Sequence, residues 1–198
     1  MDKKLILASS SKYRKAMLNK LFNDVECIAP TIDEHAISAE SPEALSRELG
    51  LLKANNVVRT LTENDTPSII IGSDQVAVLG EKILHKPGNA EKNIEQLKAC
   101  SGNTVYFYTS VCVLNSETLQ SDCEVDTTIV QFRTLSQNEI EEYVAREPAQ
   151  DCAGGFKVEG LGISLFESVK SSDPNALVGL PLIKLNRLLR SHGVNCLE

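Results

Sequence analysis

The sequence predicts an α/β fold in which helices flank a mixed central sheet that holds a cleft. Segments with helical and strand patterns alternate in the first half of the chain, an order typical of a sheet covered by helices. Two long β segments follow, Val105–Asn115 and Gln120–Arg133, and a polar turn joins them. Such segments predict antiparallel neighbours, so the sheet should contain strands of both directions.

The composition is that of one globular domain. The chain has 198 residues, of which 42% are hydrophobic and 24% charged, and these values are ordinary for a domain of that size. No repeat, low-complexity tract or linker divides it. We therefore expect a single domain over residues 1–198.

The net charge and the apolar runs limit the classes of partner. A formal charge of -7 argues against a general nucleic-acid surface, which carries a basic excess. No apolar run approaches the roughly 20 residues that span a bilayer, so we expect no membrane partner. The apolar residues 5–8 are too few for the core of a signal peptide. A cytoplasmic protein is therefore expected.

The six cysteines form no CxxC pair and no Cys/His cluster with zinc-site spacing. Because the chain shows no export signal, an even count in a protein this long favours reduced thiols. Cys100 and Cys112 lie in apolar-periodic segments and should fill the core. No histidine is recognisably paired with a cysteine, which argues against a catalytic thiol.

The first elements predicted are a strand at Lys4–Ala8, a helix at Lys12–Phe22 and a strand at Val25–Ala29. Ser41-Pro42 then suits the N-cap and the first position of a helix. This helix should continue to about Leu61.

The apolar stripe of that helix includes Leu45, Leu49 and Leu52, which recur at helical spacing. Three consecutive isoleucines within Ser68–Leu79 predict a buried strand, which turns at Gly80-Glu81 as a hairpin.

The rest of the chain adds both kinds of element. The spacing of Ser136 and Glu139 is that of a capping box, which predicts the start of a helix there. Gly193 should close the last helix. The remaining predicted bounds are a returning strand at Lys82–Leu84, a helix from Asn89 to Cys100, a helix ending near Arg146, a strand at Ile163–Val169 and a helix at Pro181–His192.

Asp74 directly follows the isoleucine run, beside Ser73 and Gln75. A carboxylate is costly to bury unless it is paired or binds a metal. Acids at strand ends commonly place a general base or a metal ligand in a crevice. A simple cap for the next turn explains the same residue, so both interpretations stay open at this point.

The segment Ser9–Lys15 combines three serines with basic residues at the start of a helix. Serine hydroxyls, backbone N–H groups and Arg14 suit a bound anion such as a phosphate. Basic residues in a first helical turn oppose the helix dipole, and a bound anion would relieve that opposition. An ordinary capped helix with a solvated basic first turn is the alternative.

Two further polar segments lie in predicted loops. Asp33 and Glu34 are adjacent acids, which ordinary solvation explains. Cys152–Gly160 contains glycines that permit close approach of a ligand to the backbone. Lys157 and Glu159 add opposite charges to that segment, and a flexible surface loop explains its glycines equally well.

Several separated motifs, in the same order, resemble the Maf family of nucleotide pyrophosphatases. The resemblance covers essentially the whole chain. The motifs are Leu7–Arg14, Asp33-Glu34, Gly72–Gln75, Lys86-Pro87, Ser101-Gly102, Ala153–Gly160 and Asp173–Pro181. The resemblance implies the fold of inosine triphosphate pyrophosphatases. It also implies hydrolysis of a nucleoside triphosphate to a monophosphate and pyrophosphate in the cytoplasm, and the most similar branch acts on 7-methyl-GTP.

The resemblance assigns roles to matching residues. Asp74 corresponds to the proton acceptor for the attacking water, and a divalent cation, Mg or Mn, would be held by Asp74 with help from Glu34. An ordinary carboxylate is a weak base, whereas water bound to a metal loses its proton more readily. The contacts implied for the triphosphate substrate are Ser9, Ser11, Arg14, Lys53 and Lys86.

Base selectivity is implied for Tyr13, Gln75 and Glu159. Because 7-methylguanine is cationic, stacking on Tyr13 would add a cation–π attraction of about 0.5–2 kcal/mol. Glu159 would accept hydrogen bonds from the Watson–Crick edge, and Gln75 would donate to the base oxygen. The sibling branch that resembles dTTP/UTP pyrophosphatases is expected to carry arginine and glutamine in place of Tyr13 and Glu159.

The sequence departs from the family pattern at four positions. Lys12 replaces the usual proline, Lys15 stands where arginine is common, and His85 and Ser110 stand where glycine is usual. These departures bear on fine geometry more than on the reaction class. The alternatives are a dTTP/UTP or ITP/XTP pyrophosphatase and a non-catalytic nucleotide-binding regulator of cell division. Family likeness is the sole ground for expecting a homodimer.

Overall fold

The computed structural model describes residues 3–62 and 65–198. Its strands are β1 (Lys4–Leu7), β2 (Val25–Cys27), β3 (Ser68–Gly72), β4 (Gln75–Leu79), β5 (Lys82–Leu84), β6 (Thr104–Asn115), β7 (Ser121–Phe132) and β8 (Phe166–Lys170). Its α-helices are α1 (Lys12–Leu18), α2 (Pro42–Val58), α3 (Ala90–Cys100), α4 (Gln137–Arg146) and α5 (Leu182–Ser191). Short 3₁₀ helices cover Glu34–Ala36, Ala153–Gly155, Leu161–Leu165 and Ala176–Val178.

The strands form a mixed sheet in the order β2-β1-β3-β6-β4-β5, and β7 pairs with β6 and β8. β1 runs parallel to both β2 and β3. The pairs β3–β6, β4–β5 and β7–β8 are antiparallel. The prediction of a sheet with strands of both directions is confirmed.

The chain divides into two compact units. The first contains the described residues up to Asp74, together with Thr109–Asp126 and Asp173–Glu198. The second contains Gln75–Tyr108 and Thr127–Ser172, so β6 and β7 contribute residues to both. A single domain over residues 1–198 stays a prediction.

Helices cover both faces of the sheet in the first unit. Successive side chains of a strand point to opposite faces, and β1 divides its apolar residues accordingly. Leu5 and Leu7 join a cluster that includes Leu18 of α1 and Leu185 of α5. The residues of the other cluster, against α2, are Ile6, Ala8, Ala54, Val57, Ile70 and Leu114. The predicted flanking helices are therefore present.

An aromatic cluster forms part of the core of the second unit. Phe156 contacts Phe107, Phe132 and Phe166 edge to face, with ring centroids 5.4, 5.7 and 4.8 Å away. Such geometry is the favourable one for aromatic rings. Phe156 directly follows the two glycines of the Gly-rich loop, so the aromatic cluster anchors one end of that loop.

Several helix ends agree with the sequence. Ser41 Oγ accepts a hydrogen bond from Ala44 N at 3.1 Å, and Pro42 begins α2. The capping box of Ser136 and Glu139 is present at the start of α4. Gly193 follows α5 with a φ of +77°, a left-handed conformation that glycine adopts without strain.

Other bounds differ from the prediction. α1 ends at Leu18 rather than Phe22. The strand predicted at Ile163–Val169 begins later, because Leu161–Leu165 forms a 3₁₀ helix before β8. Sequence periodicity fixes such ends poorly, since capping and tertiary contacts decide them.

The strand predicted over Ser68–Leu79 is two strands, β3 and β4, with Ser73-Asp74 between them. Both strands are apolar and largely buried, so the hydrophobic pattern of the sequence does not reveal the break between them. The interruption places Asp74 outside the strand ladder, where its backbone is available to other partners.

The prediction that all thiols are reduced is wrong. Cys112 and Cys123 form a disulfide, with an S–S distance of 2.13 Å. The two residues belong to paired strands, β6 and β7, and sequence spacing alone does not show which cysteines face each other. Cys100 is buried, as predicted.

Among the helices described, none has both the length and the apolar content needed to cross a membrane.

Candidate active site

The polar segments that follow β1 and β3 begin at the same edge of the sheet. Leu7 pairs with Ile71 in parallel register, and Ala8 N donates to Ile71 O at 2.8 Å. Ser9 and Asp74 therefore both follow the carboxyl ends of neighbouring parallel strands, the edge at which open α/β sheets bind ligands.

The serines after β1 order the start of α1. Ser9 Oγ accepts from Ser11 N at 3.0 Å. Ser11 is the N-cap of α1, and its Oγ accepts from Arg14 N at 3.4 Å. Ser9 is 6% exposed, so the segment that leads into α1 is held against the protein.

Lys53 joins two of the predicted acids. Its Nζ lies 2.5 Å from Asp74 Oδ1 and 2.9 Å from Glu34 Oε1. The side chains of Lys53 and Asp74 are only 7% and 10% exposed, whereas that of Glu34 is 48% exposed. A charge is tolerated in the interior only when it is paired. Here the single cation of Lys53 pairs with the buried carboxylate of Asp74 and with the half-exposed carboxylate of Glu34.

The buried face of α2 explains how Lys53 reaches Asp74. The predicted leucine stripe coincides with this face only at Leu49, because Leu52 is exposed and Leu45 only partly buried. The buried residues are Ser46, Leu49, Gly50, Lys53, Ala54 and Val57, which follow the helical repeat. The face that lies against β3 is therefore mixed, with Ser46 and Lys53 beside apolar and small residues.

Two glycines allow this close approach. A Cβ atom at Gly72 would collide with the carbonyl oxygen of Gly50, and one at Gly50 would collide with Ser110 Oγ. Backbone therefore meets backbone between α2 and the end of β3. Side chains on this face of α2 reach Asp74 as a result.

Arg14 is fixed by the loop before α5. Its Nε donates to Gly179 O at 2.8 Å, and Ser73 Oγ donates to the same oxygen at 3.0 Å. One carbonyl thus connects the basic first turn of α1 with the residue before Asp74. Gly179 has a φ of +118°, a conformation that favours glycine.

Burial and nearby carboxylates have opposite effects on Arg14. Burial lowers the pKa of the Arg14 guanidinium, while the carboxylates of Asp74 and Glu34 act in the opposite direction. Burial disfavours a charged group unless opposite charges are near. The first unit therefore brings together two cations, Arg14 and Lys53, with two carboxylates.

The remaining predicted site residues are placed as follows. Tyr13 lies on α1, and Lys12 Nζ is 5.2 Å from the centroid of its ring. Gln75, Lys86 and Glu159 belong to the second unit. Gln75 begins β4 and is partly buried, whereas Lys86 and Glu159 lie outside the strands and are exposed.

Asp74 and Glu34 have the chemical type of ligand that a divalent cation needs, but they are only two. Carboxylate oxygens are the ligands that Mg²⁺ prefers, and one or two of them suffice when substrate phosphates and water complete the shell. Asp74 and Glu34 meet this description, since both contact the same ammonium group. Within residues 3–62 and 65–198, no group of three or more His, Cys, Asp or Glu side chains could hold a metal.

Sequence reasoning missed Ser46, Ser73 and Gly179 as parts of this arrangement. Ser46 lies seven residues before Lys53, and that spacing places both on one face of a helix. This signal was available in the sequence, but it competed with the leucine stripe. The role of Gly179 O depends on a backbone atom and has no signal in residue type.

Known proteins resemble this chain over nearly its whole length. A family model described as Maf-like protein matches residues 4–192. A 7-methyl-GTP pyrophosphatase of Idiomarina loihiensis is 50% identical over 194 residues, which cover 98% of this chain and 97% of that protein. The protein of the same name from Aliivibrio fischeri is 45% identical over 197 residues and covers 100% of each chain.

Among solved structures, the Staphylococcus aureus Ham1 protein is 16% identical, with a TM-score of 0.47 over 67% of this chain and 73% of that one. The family model and the near full-length relatives show that this chain belongs to the Maf-like protein family.

Proposed function

We propose that this protein hydrolyses 7-methyl-GTP to 7-methyl-GMP and pyrophosphate in the cytoplasm, with a divalent cation, and thereby removes a modified nucleotide. The observation that carries the proposal is the buried Lys53 between Asp74 and Glu34. It occurs in a chain whose relatives, 45% and 50% identical over nearly their full length, are named for this activity.

The reaction needs a base beside the phosphate chain. A water oxygen bonds to the α-phosphorus, the bond from that phosphorus to the α–β bridging oxygen breaks, and pyrophosphate leaves with the bridging oxygen. In this proposal Asp74 takes the proton of the attacking water. Its carboxylate is held at a strand end by Lys53, and a fixed base position favours proton transfer.

The cations of the first unit suit the substrate's phosphates. Arg14 offers a planar guanidinium and Lys53 a compact ammonium, and such groups stabilise charge in phosphoryl transfer. Ser9 and Ser11 lie at the start of α1, where serine hydroxyls and a helix terminus favour anions. Lys86 of the second unit is proposed as a further phosphate contact.

The proposed cation, Mg or Mn, would be held by Asp74 and Glu34. When bound, such a cation lowers the pKa of bound water and neutralises phosphate charge. The fold of the chain positions these ligands. Lys53 of α2 contacts both acids, and Glu34 begins the Glu34–Ala36 turn.

Tyr13, Gln75 and Glu159 are proposed to select the base. Lys12 Nζ lies near the Tyr13 ring, so this ring already attracts a cation. A cationic 7-methylguanine would gain from the same electron-rich ring. Glu159 is exposed and carries the charge that strengthens hydrogen bonds from such a base.

The test is pyrophosphate release from a panel of triphosphates: 7-methyl-GTP, GTP, dTTP, UTP, ITP and XTP. We expect the highest kcat/KM with 7-methyl-GTP, loss of release with a chelator, and recovery when Mg or Mn is added back. A preference for dTTP, UTP, ITP or XTP would replace the proposed substrate with one of the alternatives. Binding of nucleotides without any pyrophosphate release would contradict the enzymatic proposal and favour a regulator.

A further inference from the structure

Two buried serines hold the backbone of Asp74. Ser110 Oγ accepts a hydrogen bond from Asp74 N at 3.0 Å. Ser46 Oγ donates to Asp74 O at 3.1 Å, and Ser110 N donates to the same oxygen at 2.9 Å. Asp74 lies between β3 and β4, and the two hydroxyl bonds add to its one backbone bond with β6.

The two serines also hold each other. Ser110 Oγ donates to Ser46 O at 2.6 Å, and Ser110 N approaches Ser46 Oγ at 3.0 Å. Each hydroxyl has one proton, and each proton has one short acceptor: Ser46 O for Ser110, and Asp74 O for Ser46. The donors and acceptors are therefore mutually consistent. Both serines are 0% exposed, so water does not compete for these bonds.

The space around Ser110 is matched to its hydroxyl. A Cβ atom at position 50 would collide with Ser110 Oγ, and Gly50 leaves that position clear. The helix that supplies Ser46 also supplies Lys53, seven residues later on the same face. One helix face thus holds the backbone of Asp74 through Ser46 and its carboxylate through Lys53.

We infer that Ser110 and Ser46 are positioning residues for Asp74: their hydroxyls fix its backbone, and thereby fix where its carboxylate meets the attacking water. The inference rests on the proposed function of Asp74. The hydroxyl of Ser110 is needed for this role, because a residue without one at that position would leave Asp74 N without its acceptor. A buried N–H without a partner is costly, and a small displacement of a catalytic group lowers its rate.

The test compares Ser110→Ala and Ser46→Ala with Ser68→Ala as a matched control. Ser68 is also a buried serine of the first unit, and its hydroxyl donates to Thr66 O rather than to Asp74. We expect kcat for 7-methyl-GTP to fall by about 10- to 100-fold in the first two variants, with KM nearly unchanged. Ser68→Ala should keep the wild-type kcat at a comparable loss of thermal stability.

The double variant Ser46→Ala/Ser110→Ala adds a second criterion. Because the two hydroxyls act as one connected unit, its loss of kcat should be smaller than the product of the two single losses. Losses that multiply would mean that the two hydroxyls act independently, and an equal loss in Ser68→Ala would point to general destabilisation. Either result would overturn the inference.

A measurement that needs no turnover separates this inference from the proposed function. In wild-type protein the Asp74 amide should exchange slowly with solvent, as followed by NMR, and Ser110→Ala should accelerate it. The Ala8 amide, bonded to Ile71 O, should stay unchanged and serves as an internal control. Altered Asp74 exchange in a protein that hydrolyses no triphosphate would refute the function but retain the contact of the two serines with Asp74. Active protein with unchanged exchange and unchanged kcat in Ser110→Ala would overturn the positioning role alone.

Discussion

Lys53 Nζ lies 2.5 Å from Asp74 Oδ1, and both side chains are almost fully shielded from solvent. Removing one partner of a buried ion pair leaves an uncompensated charge, which is far more costly than losing an exposed pair. The pair therefore has consequences for stability as well as for activity.

Lys53→Met tests the pair while keeping most of the side-chain volume. We expect a loss of about 3–5 kcal/mol in the free energy of unfolding, because the Asp74 carboxylate loses its buried partner. Lys4→Met is the control, since the Lys4–Glu26 pair is 2.6 Å apart but about half exposed, and it should change stability little. Chemical denaturation measures both.

The double variant Lys53→Met/Asp74→Asn shows whether the charge is the cause. Without the carboxylate, the cost of Lys53→Met should largely disappear. An equal cost in both backgrounds would mean that packing, not the unpaired charge, explains the effect.

Glu159→Gln should weaken selection for the methylated base. A carboxylate accepts stronger hydrogen bonds from a cationic base than an amide does. We expect the ratio of kcat/KM for 7-methyl-GTP over GTP to fall about tenfold. Glu167→Gln, an exposed acid on β8 of the same unit, should leave the ratio unchanged. An unchanged ratio in Glu159→Gln would remove this residue from base recognition.

The cysteines give a chemical test of the fold. Unfolded protein kept without reductant should show four reduced thiols, those of Cys27, Cys100, Cys152 and Cys196, and reduction should release the two of the disulfide. Six thiols before reduction would contradict the disulfide. In the folded protein, burial raises the pKa of Cys100 to about 12, so alkylation should reach the exposed Cys27 first.

The capping box of α4 predicts a pH dependence of stability. Hydrogen bonds from Ser136 N and Ser136 Oγ, followed by one from Arg133, lower the pKa of Glu139 from 4.5 to about 2. Because the folded pKa is the lower one, this stabilisation is present above about pH 4.5 and is lost as the pH falls through about 2. Glu139→Gln should therefore lower Tm near neutral pH, and the difference from wild type should shrink in acid. A difference that stays constant would contradict this.

The sequence predicts the parts of the site that depend on local pattern. The isoleucine run locates the buried strand before Asp74, and Ser41-Pro42 locates the start of α2. The mixed sheet follows from the early alternation of helices and strands and from the later pair of long β segments.

Contacts between elements distant in sequence are not available from pattern. The leucines of α2 suggest one buried face, but Gly50 and Gly72 let the backbones meet and turn the face with Ser46 and Lys53 inward. The disulfide and the shared contact of Lys53 with Glu34 are tertiary in the same way. Likewise, the hydrogen bonds of Ser46 and Ser110 to Asp74 form only because the fold brings the two serines together.

The turnover of Asp74→Asn tests the central claim most directly. Asparagine keeps the size of the side chain and one oxygen, but it cannot take the proton of the attacking water. Pyrophosphate release from saturating 7-methyl-GTP should fall by at least about 100-fold, while circular dichroism and nucleotide binding show a folded protein. Release near the wild-type rate from that folded variant would contradict a catalytic role for Asp74.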